Sequence, residues 1–125
     1  MIFGVGIDLI EVARIEKQLG RGDNRFQRRL FTEQEIAYCE RKKFKALHYA
    51  ARFAAKEAFF KALGTGLGGG LSWKDVEIVN DEAGKPAIRL SDKARLLAEE
   101  RGLAGLHVSL THVKDTAAAV VIIEK

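Results

Sequence analysis

A single cysteine, Cys39, stands in 125 residues, so an internal disulfide framework is excluded and a reducing compartment is expected. With only three histidines beside it, the chain cannot build a zinc site of the usual ligand count. No apolar run approaches the ~20 residues of a membrane span. Met1–Val5 has no basic region ahead of it, so a secretory leader is not expected. Internal repeats, low-complexity segments and linkers are missing as well. A chain that is 47% hydrophobic is therefore expected to form one soluble, cytoplasmic domain, residues 1–125, burying about two-thirds of its unfolded surface. Its net charge of +4 suits an anionic partner without naming one.

What is present centres on Arg52–Gly66. At about 100° per residue, Ala51, Ala54, Ala55, Ala58 and Ala62 fall on one face of a helix, narrow enough for close backbone packing. Arg52 and Lys56 line one flank, Glu57 and Lys61 another, with Phe53 and Phe60 between them. By spacing alone both pairs read as solvated i,i+4 pairs. The glycines that follow, at 64, 66, 68, 69 and 70, exceed what ending a helix requires. Bare backbone there suits N–H groups turned toward an anion. The segment matches neither a P-loop nor a dinucleotide fingerprint.

Ile2–Ile10 alternates as a strand, with Phe3, Val5, Ile7 and Leu9 on one face and Gly4, Gly6 and Asp8 on the other. The glycines are expected to leave space beside the Asp8 carboxylate, which either faces that space or caps the next helix. A short helix follows with Val12, Ile15 and Leu19 inward and Arg14, Lys17 and Arg21 outward. Arg25, Phe26, Arg28 and Arg29 extend this into a basic patch. Thr32-Glu-Gln-Glu35 has the form of a capping box, and Lys42, Lys43 and Lys45 cluster before the long helix, where a phosphate would fit. Val76–Asn80 and Ala87–Leu90 read as a hairpin, Asp92–Arg101 as a helix with Leu96 and Leu97 inward. Leu106–Leu110 and Ala117–Ile123 read as the last strands, with His107, Ser109 and Thr111 on one face.

Two carboxylates, Asp8 and Glu57, would suit Mg²⁺, which takes one or two of them together with substrate phosphates. The surrounding lysines, arginine and glycines are the parts phosphoryl transfer uses. A metal-dependent phosphohydrolase would use the same carboxylates. A nucleic-acid-binding module would use the basic patch and leave them unexplained.

Gly4-Val-Gly-Ile-Asp-Leu-Ile-Glu-Val-Ala-Arg-Ile15, Arg52–Gly66, Trp73-Lys-Asp-Val-Glu-Ile78, Gly84-Lys-Pro86 and Val108-Ser-Leu-Thr-His112 together resemble the bacterial holo-[acyl-carrier-protein] synthase family of 4′-phosphopantetheinyl transferases. The resemblance covers essentially the whole chain. It implies an α+β fold with a small antiparallel sheet packed against a long central helix, assembled as a homotrimer with active sites between subunits. It implies transfer of phosphopantetheine from coenzyme A to a serine of acyl carrier protein, in support of fatty acid biosynthesis, with no nucleic acid or membrane involved. Asp8 and Glu57 match the family's magnesium ligands, and Lys61 its motif lysine near the pyrophosphate. The serine proton goes to Glu57 or to a water. Coenzyme A contacts are expected from Arg52, Lys61, Gly64, Thr65, Gly66, His107, Ser109 and Thr111, the last standing where many members have serine. Arg14, Lys17, Arg21, Arg25 and Arg28, with Phe26 as apolar anchor, are expected to dock an acidic helix of the carrier protein.

Overall fold

The alternation of Ile2–Glu11 forms strand β1, and the alanine-rich Lys45–Leu63 forms the long helix that crosses it, α4. The computed structural model describes residues 1–65 and 69–125. Between β1 and α4 lie three short helices, α1 (Val12–Leu19), α2 (Arg25–Leu30) and α3 (Glu33–Glu40). After α4 come a 3₁₀ turn (Trp73–Asp75), β2 (Val76–Asn80), β3 (Pro86–Leu90), α5 (Asp92–Glu100), β4 (Gly105–Val113) and β5 (Thr116–Glu124). The strands form two antiparallel sheets rather than the one expected, a three-stranded β1-β5-β4 and a separate β2-β3 hairpin.

The space predicted beside Gly4 and Gly6 is filled by α4 itself. A Cβ at Gly4 would stand 1.9 Å from the Ala62 carbonyl oxygen, and one at Gly6 1.8 Å from that of Ala58. Both glycines are there so that strand and helix backbones can touch. The alanine face, Ala51, Ala54, Ala55, Ala58 and Ala62, is buried against the three-stranded sheet. Ala117, Ala119, Val121 and Ile123 of β5 meet it from below. Phe59 and Phe60 are buried too, each contributing roughly 1.5–3 kcal/mol by removal from water.

The opposite face of that sheet is not covered by any of the described residues. Strand register puts Val5, Ile7 and Leu9 of β1 beside Ile122, Val120 and Ala118 of β5, and these beside His107, Ser109 and Thr111 of β4. Val5, Ile7 and Leu9 are more than half exposed.

On the far flank of α4 the solvated reading of Arg52 and Lys56 fails, for they are 2% and 0% exposed. α3 and β2 both pack there, and their polar groups meet the two cations. The Thr32 capping box forms as expected, but its Glu35 also accepts a hydrogen bond from Lys56 Nζ at 2.7 Å and one from the Ile78 amide at 3.0 Å. A smaller correction falls on α5, where Ala94 is the buried residue and Leu96 is 60% exposed.

The backbone contact makes a sharp prediction. Gly6→Ala forces α4 off β1 and should cost about 3 kcal/mol or more by overpacking. Gly22→Ala, with φ +78° but nothing within 4 Å of the added carbon, should cost only about 1 kcal/mol. Urea denaturation of the two variants checks the difference.

Candidate active site

Asp8 follows Gly6 by two residues, so it shares the helix-facing side of β1. Lys61 Nζ donates to Asp8 Oδ1 at 3.1 Å and to the Ile7 carbonyl at 2.9 Å. One turn earlier on the helix, Glu57 is partly buried and electrostatically coupled to both. Its pKa is raised, first by burial and second by the Asp8 carboxylate, while Lys61 opposes the rise. Asp8, Glu57 and Lys61 thus form one group, brought from positions 8, 57 and 61 by the strand–helix contact. Among the described residues no cluster of three or more Asp, Glu, His or Cys could hold a metal by itself. The two-carboxylate set fits a small hard cation that takes its remaining oxygens from substrate and water.

The helix ends at Leu63, shortly after Lys61, with Gly64 as its cap. Gly64 adopts φ +86° and donates its amide to the Phe60 carbonyl at 3.0 Å, closing α4 in a left-handed turn. Gly64 and Thr65 are exposed there, and Gly66 lies outside the described residues.

Arg52 lies elsewhere. It is separated from Glu57 and Lys61 by about 140° and 180° around the helix axis at 100° per residue. Its guanidinium sits over the Tyr38 ring at 4.0 Å, and its Nη2 donates to Asn80 Oδ1. Its buried Nε has no hydrogen-bond partner among the described residues. This cation forms one wall of a cleft of about 440 Å³, whose lining includes Tyr38, His48, Lys85, Pro86, Ser109 and His112. Lys42 reaches the same Tyr38 ring at 4.6 Å, whereas Lys45 is paired with Glu40. Burial, then Lys42, Arg52 and His112, hold the His48 pKa below its usual value. An unpaired buried donor with two further cations beside it makes this cleft electropositive.

His107, Ser109 and Thr111 are exposed on the sheet face that points away from α4, so one chain does not bring them to Asp8. His107 Nε2 is instead hydrogen-bonded to Glu124. Arg14, Lys17, Arg21, Arg25 and Arg28 are all exposed. Arg28 Nη2 donates to the Asp23 carbonyl at 2.9 Å, and Arg25 lies 4.0 Å from the Asp23 carboxylate. Phe26 is only half exposed, edge-on to Phe31 at 6.0 Å, in a depression shared with Arg21, Arg25 and Arg29. Sequence reasoning missed Tyr38 and Asn80. Tyr38 falls one turn beyond Glu35 on α3, a spacing whose meaning appears only once Lys56 and Arg52 are seen to face that helix.

Residues 4–121 match the model of the 4′-phosphopantetheinyl transferase superfamily. The chain is 50% identical over 125 residues to the holo-[acyl-carrier-protein] synthase of Geobacter sp. (strain M21), covering 100% of both chains. Its fold is similar to that of the holo-[acyl-carrier-protein] synthase of Neisseria meningitidis, with a TM-score of 0.94, 34% identity and 100% of each chain covered. It is similar also to the synthase of Bacillus anthracis str. Ames in complex with CoA (3′,5′-ADP), with a TM-score of 0.82, 40% identity, and 99% and 97% of the two chains covered.

The raised Glu57 pKa has a signed consequence. The folded chain binds this proton more tightly than the unfolded one, so stability falls as pH rises from about 4.5 through the folded-state pKa. Glu57→Gln should therefore stabilise the metal-free protein at pH 7, by under about 1 kcal/mol for so exposed a group. The gain should vanish near pH 4. Thermal melts at the two pH values check the sign.

Proposed function

The chain belongs to the holo-[acyl-carrier-protein] synthase family of the 4′-phosphopantetheinyl transferase superfamily, and on that premise we propose that it moves 4′-phosphopantetheine from coenzyme A to a serine of apo acyl carrier protein, releasing adenosine 3′,5′-bisphosphate. The observation that carries this reading is the meeting of Asp8, Glu57 and Lys61 across the contact between β1 and α4. In the step, the serine Oγ bonds to the phosphorus that bears pantetheine, and the bond from that phosphorus to the bridging oxygen breaks. The bridging oxygen leaves with the nucleotide. Lys61, exposed and on a flexible stem, exchanges its Asp8 contact for a phosphate oxygen and offsets the charge on the leaving group. Glu57, its pKa raised by burial and by the Asp8 carboxylate, is suited to take the serine proton, directly or through a water. Asp8 and Glu57 would hold Mg²⁺, which when bound would neutralise charge on the substrate's phosphates. Gly64 and Thr65 present backbone to the same phosphates. Holo acyl carrier protein formed this way, in the cytoplasm, serves fatty acid biosynthesis.

The nucleotide end of coenzyme A is assigned to the Arg52 cleft, and the same reading explains why that cleft and Asp8 lie on opposite flanks of α4. In a homotrimer, one copy's Arg52 cleft, with His107, Ser109 and Thr111 at its edge, meets the next copy's Asp8 group across the uncovered sheet face. Apolar rows at Val5, Ile7 and Leu9 supply the adhesive surface.

Incubation with coenzyme A, Mg²⁺ and apo acyl carrier protein should add about 340 Da to the carrier, as covalent phosphoryl transfer requires. Breakdown of coenzyme A with no gain in carrier mass would make the protein a phosphohydrolase instead. Asp8→Asn and Arg52→Ala should each be inactive alone, while dissociation and reassembly of the mixture restores part of the activity. An active monomer by sedimentation would exclude the shared site.

The exposed Arg14, Lys17, Arg21, Arg25 and Arg28 form the proposed carrier dock, with Phe26 anchoring from its half-buried seat. Charge reversal at Arg14 or Arg21 should raise KM for the carrier and flatten its salt dependence, leaving KM for coenzyme A little changed. Steady-state kinetics at two ionic strengths distinguishes this from a nucleotide role for the stripe.

A further inference from the structure

The two buried cations of α4 form successive rungs between the same three elements. Lys56 reaches Glu35 of α3 at 2.7 Å, the Val76 carbonyl of β2 at 2.8 Å and the Trp73 carbonyl at 3.0 Å, so its ammonium has three acceptors and no exposed surface. One helical turn away, Arg52 reaches Tyr38 of α3 and Asn80 of β2. The partners on α3 and β2 step along in register with those on α4, which makes both neighbours antiparallel to the helix. The first rung is dry and fully paired. The second opens into the cleft and keeps Nε without a partner.

We infer that the Lys56–Glu35 pair is a positioning pair for the Arg52 cleft. A buried ion pair adds little to net stability, because desolvation offsets attraction, yet it tolerates only one geometry. Glu35 sharpens that geometry by accepting from the Ile78 amide at 3.0 Å and the Thr32 amide at 2.9 Å as well. Along β2, Asn80 stands two residues beyond Ile78 and four beyond Val76, and one turn of α3 links Glu35 to Tyr38. Fixing the first rung therefore fixes both groups that hold Arg52. Neither residue of the pair reaches the cleft, so the effect passes through Tyr38, Asn80 and Arg52.

This inference rests on the assignment of the cleft to the nucleotide end of coenzyme A, and the test separates the two. Lys56→Met keeps volume and removes the donor. Calorimetric titration with adenosine 3′,5′-bisphosphate should show binding weakened by about tenfold or more, the size of coupling seen between groups in one network. KM for coenzyme A should rise in parallel, with kcat and the carrier KM changed by less than about threefold, a split that general destabilisation does not produce. A folded variant that binds the nucleotide as wild type does overturns the positioning role. So does a loss confined to kcat, which would tie the pair to the Asp8 group instead. If wild type itself does not bind adenosine 3′,5′-bisphosphate, the cleft assignment fails and the inference with it. Should Lys56→Met not fold, the isosteric Glu35→Gln takes its place with the same expected split.

Discussion

The contact on which the rest depends is between backbones. Ala58 and Ala62 of α4 lie against Gly6 and Gly4 of β1 at distances that no side chain on the strand would allow. Each of those alanines is preceded by a residue of the candidate site, Glu57 before Ala58 and Lys61 before Ala62. Asp8 stands one pleat beyond Gly6 on the same face. The requirement for small residues on both surfaces is thus also the device that sets carboxylate against carboxylate and lysine against both. A larger residue at either glycine would move the helix and separate the three groups together. Packing and chemistry share one constraint here.

The opposite flank of α4 is governed by electrostatics. A cation out of water needs acceptors that replace its hydration, and Lys56 has three. Arg52 has an amide oxygen and an aromatic face but, among the described residues, lacks a partner for Nε. An unpaired buried donor costs roughly 1–3 kcal/mol, a burden that a bound anion would relieve. The contrast between a satisfied lysine and an unsatisfied arginine one turn apart separates a structural tie from a binding wall.

Much of the local structure was legible because its signals are local. The alternation of β1, the Thr32 capping box, the alanine face and the turn around Gly84 and Pro86 each depend on neighbours within a few residues. What misled were features whose meaning lies across the fold. A glycine beside Asp8 looks the same whether a ligand or a helix fills the gap, and only Ala58 and Ala62 decide it. Arg52 and Lys56 at i,i+4 look solvated until α3 and β2 arrive from distant sequence. Likewise, period-two alternation put His107, Ser109 and Thr111 on a common face correctly but carried no information on which face α4 would cover. The grouping of Asp8 with Glu57 and Lys61 was reached through a family motif, since nothing in the spacing of residues 8 and 57 requires them to meet.

The divided arrangement has its own physical logic. An isolated chain presents an acidic, lysine-capped group on one flank of α4, an electropositive cleft on the other, and an apolar sheet face that none of the described residues covers. A pyrophosphate-linked substrate with a nucleotide at one end and a thiol arm at the other is long enough to need both flanks, and no rotation of a rigid helix brings them together. In the proposed trimer, a second copy laid on the apolar face would solve both problems at once, because the surface it would bury and the half-site it would supply belong to the same sheet. In that assembly, apolar burial provides the driving force and the polar row His107, Ser109 and Thr111 lies at its border, where side chains stay wet enough to meet a phosphate. Catalytic competence would then be tied to association by mass action, and the exposed apolar rows of β1 would become part of the proposed function.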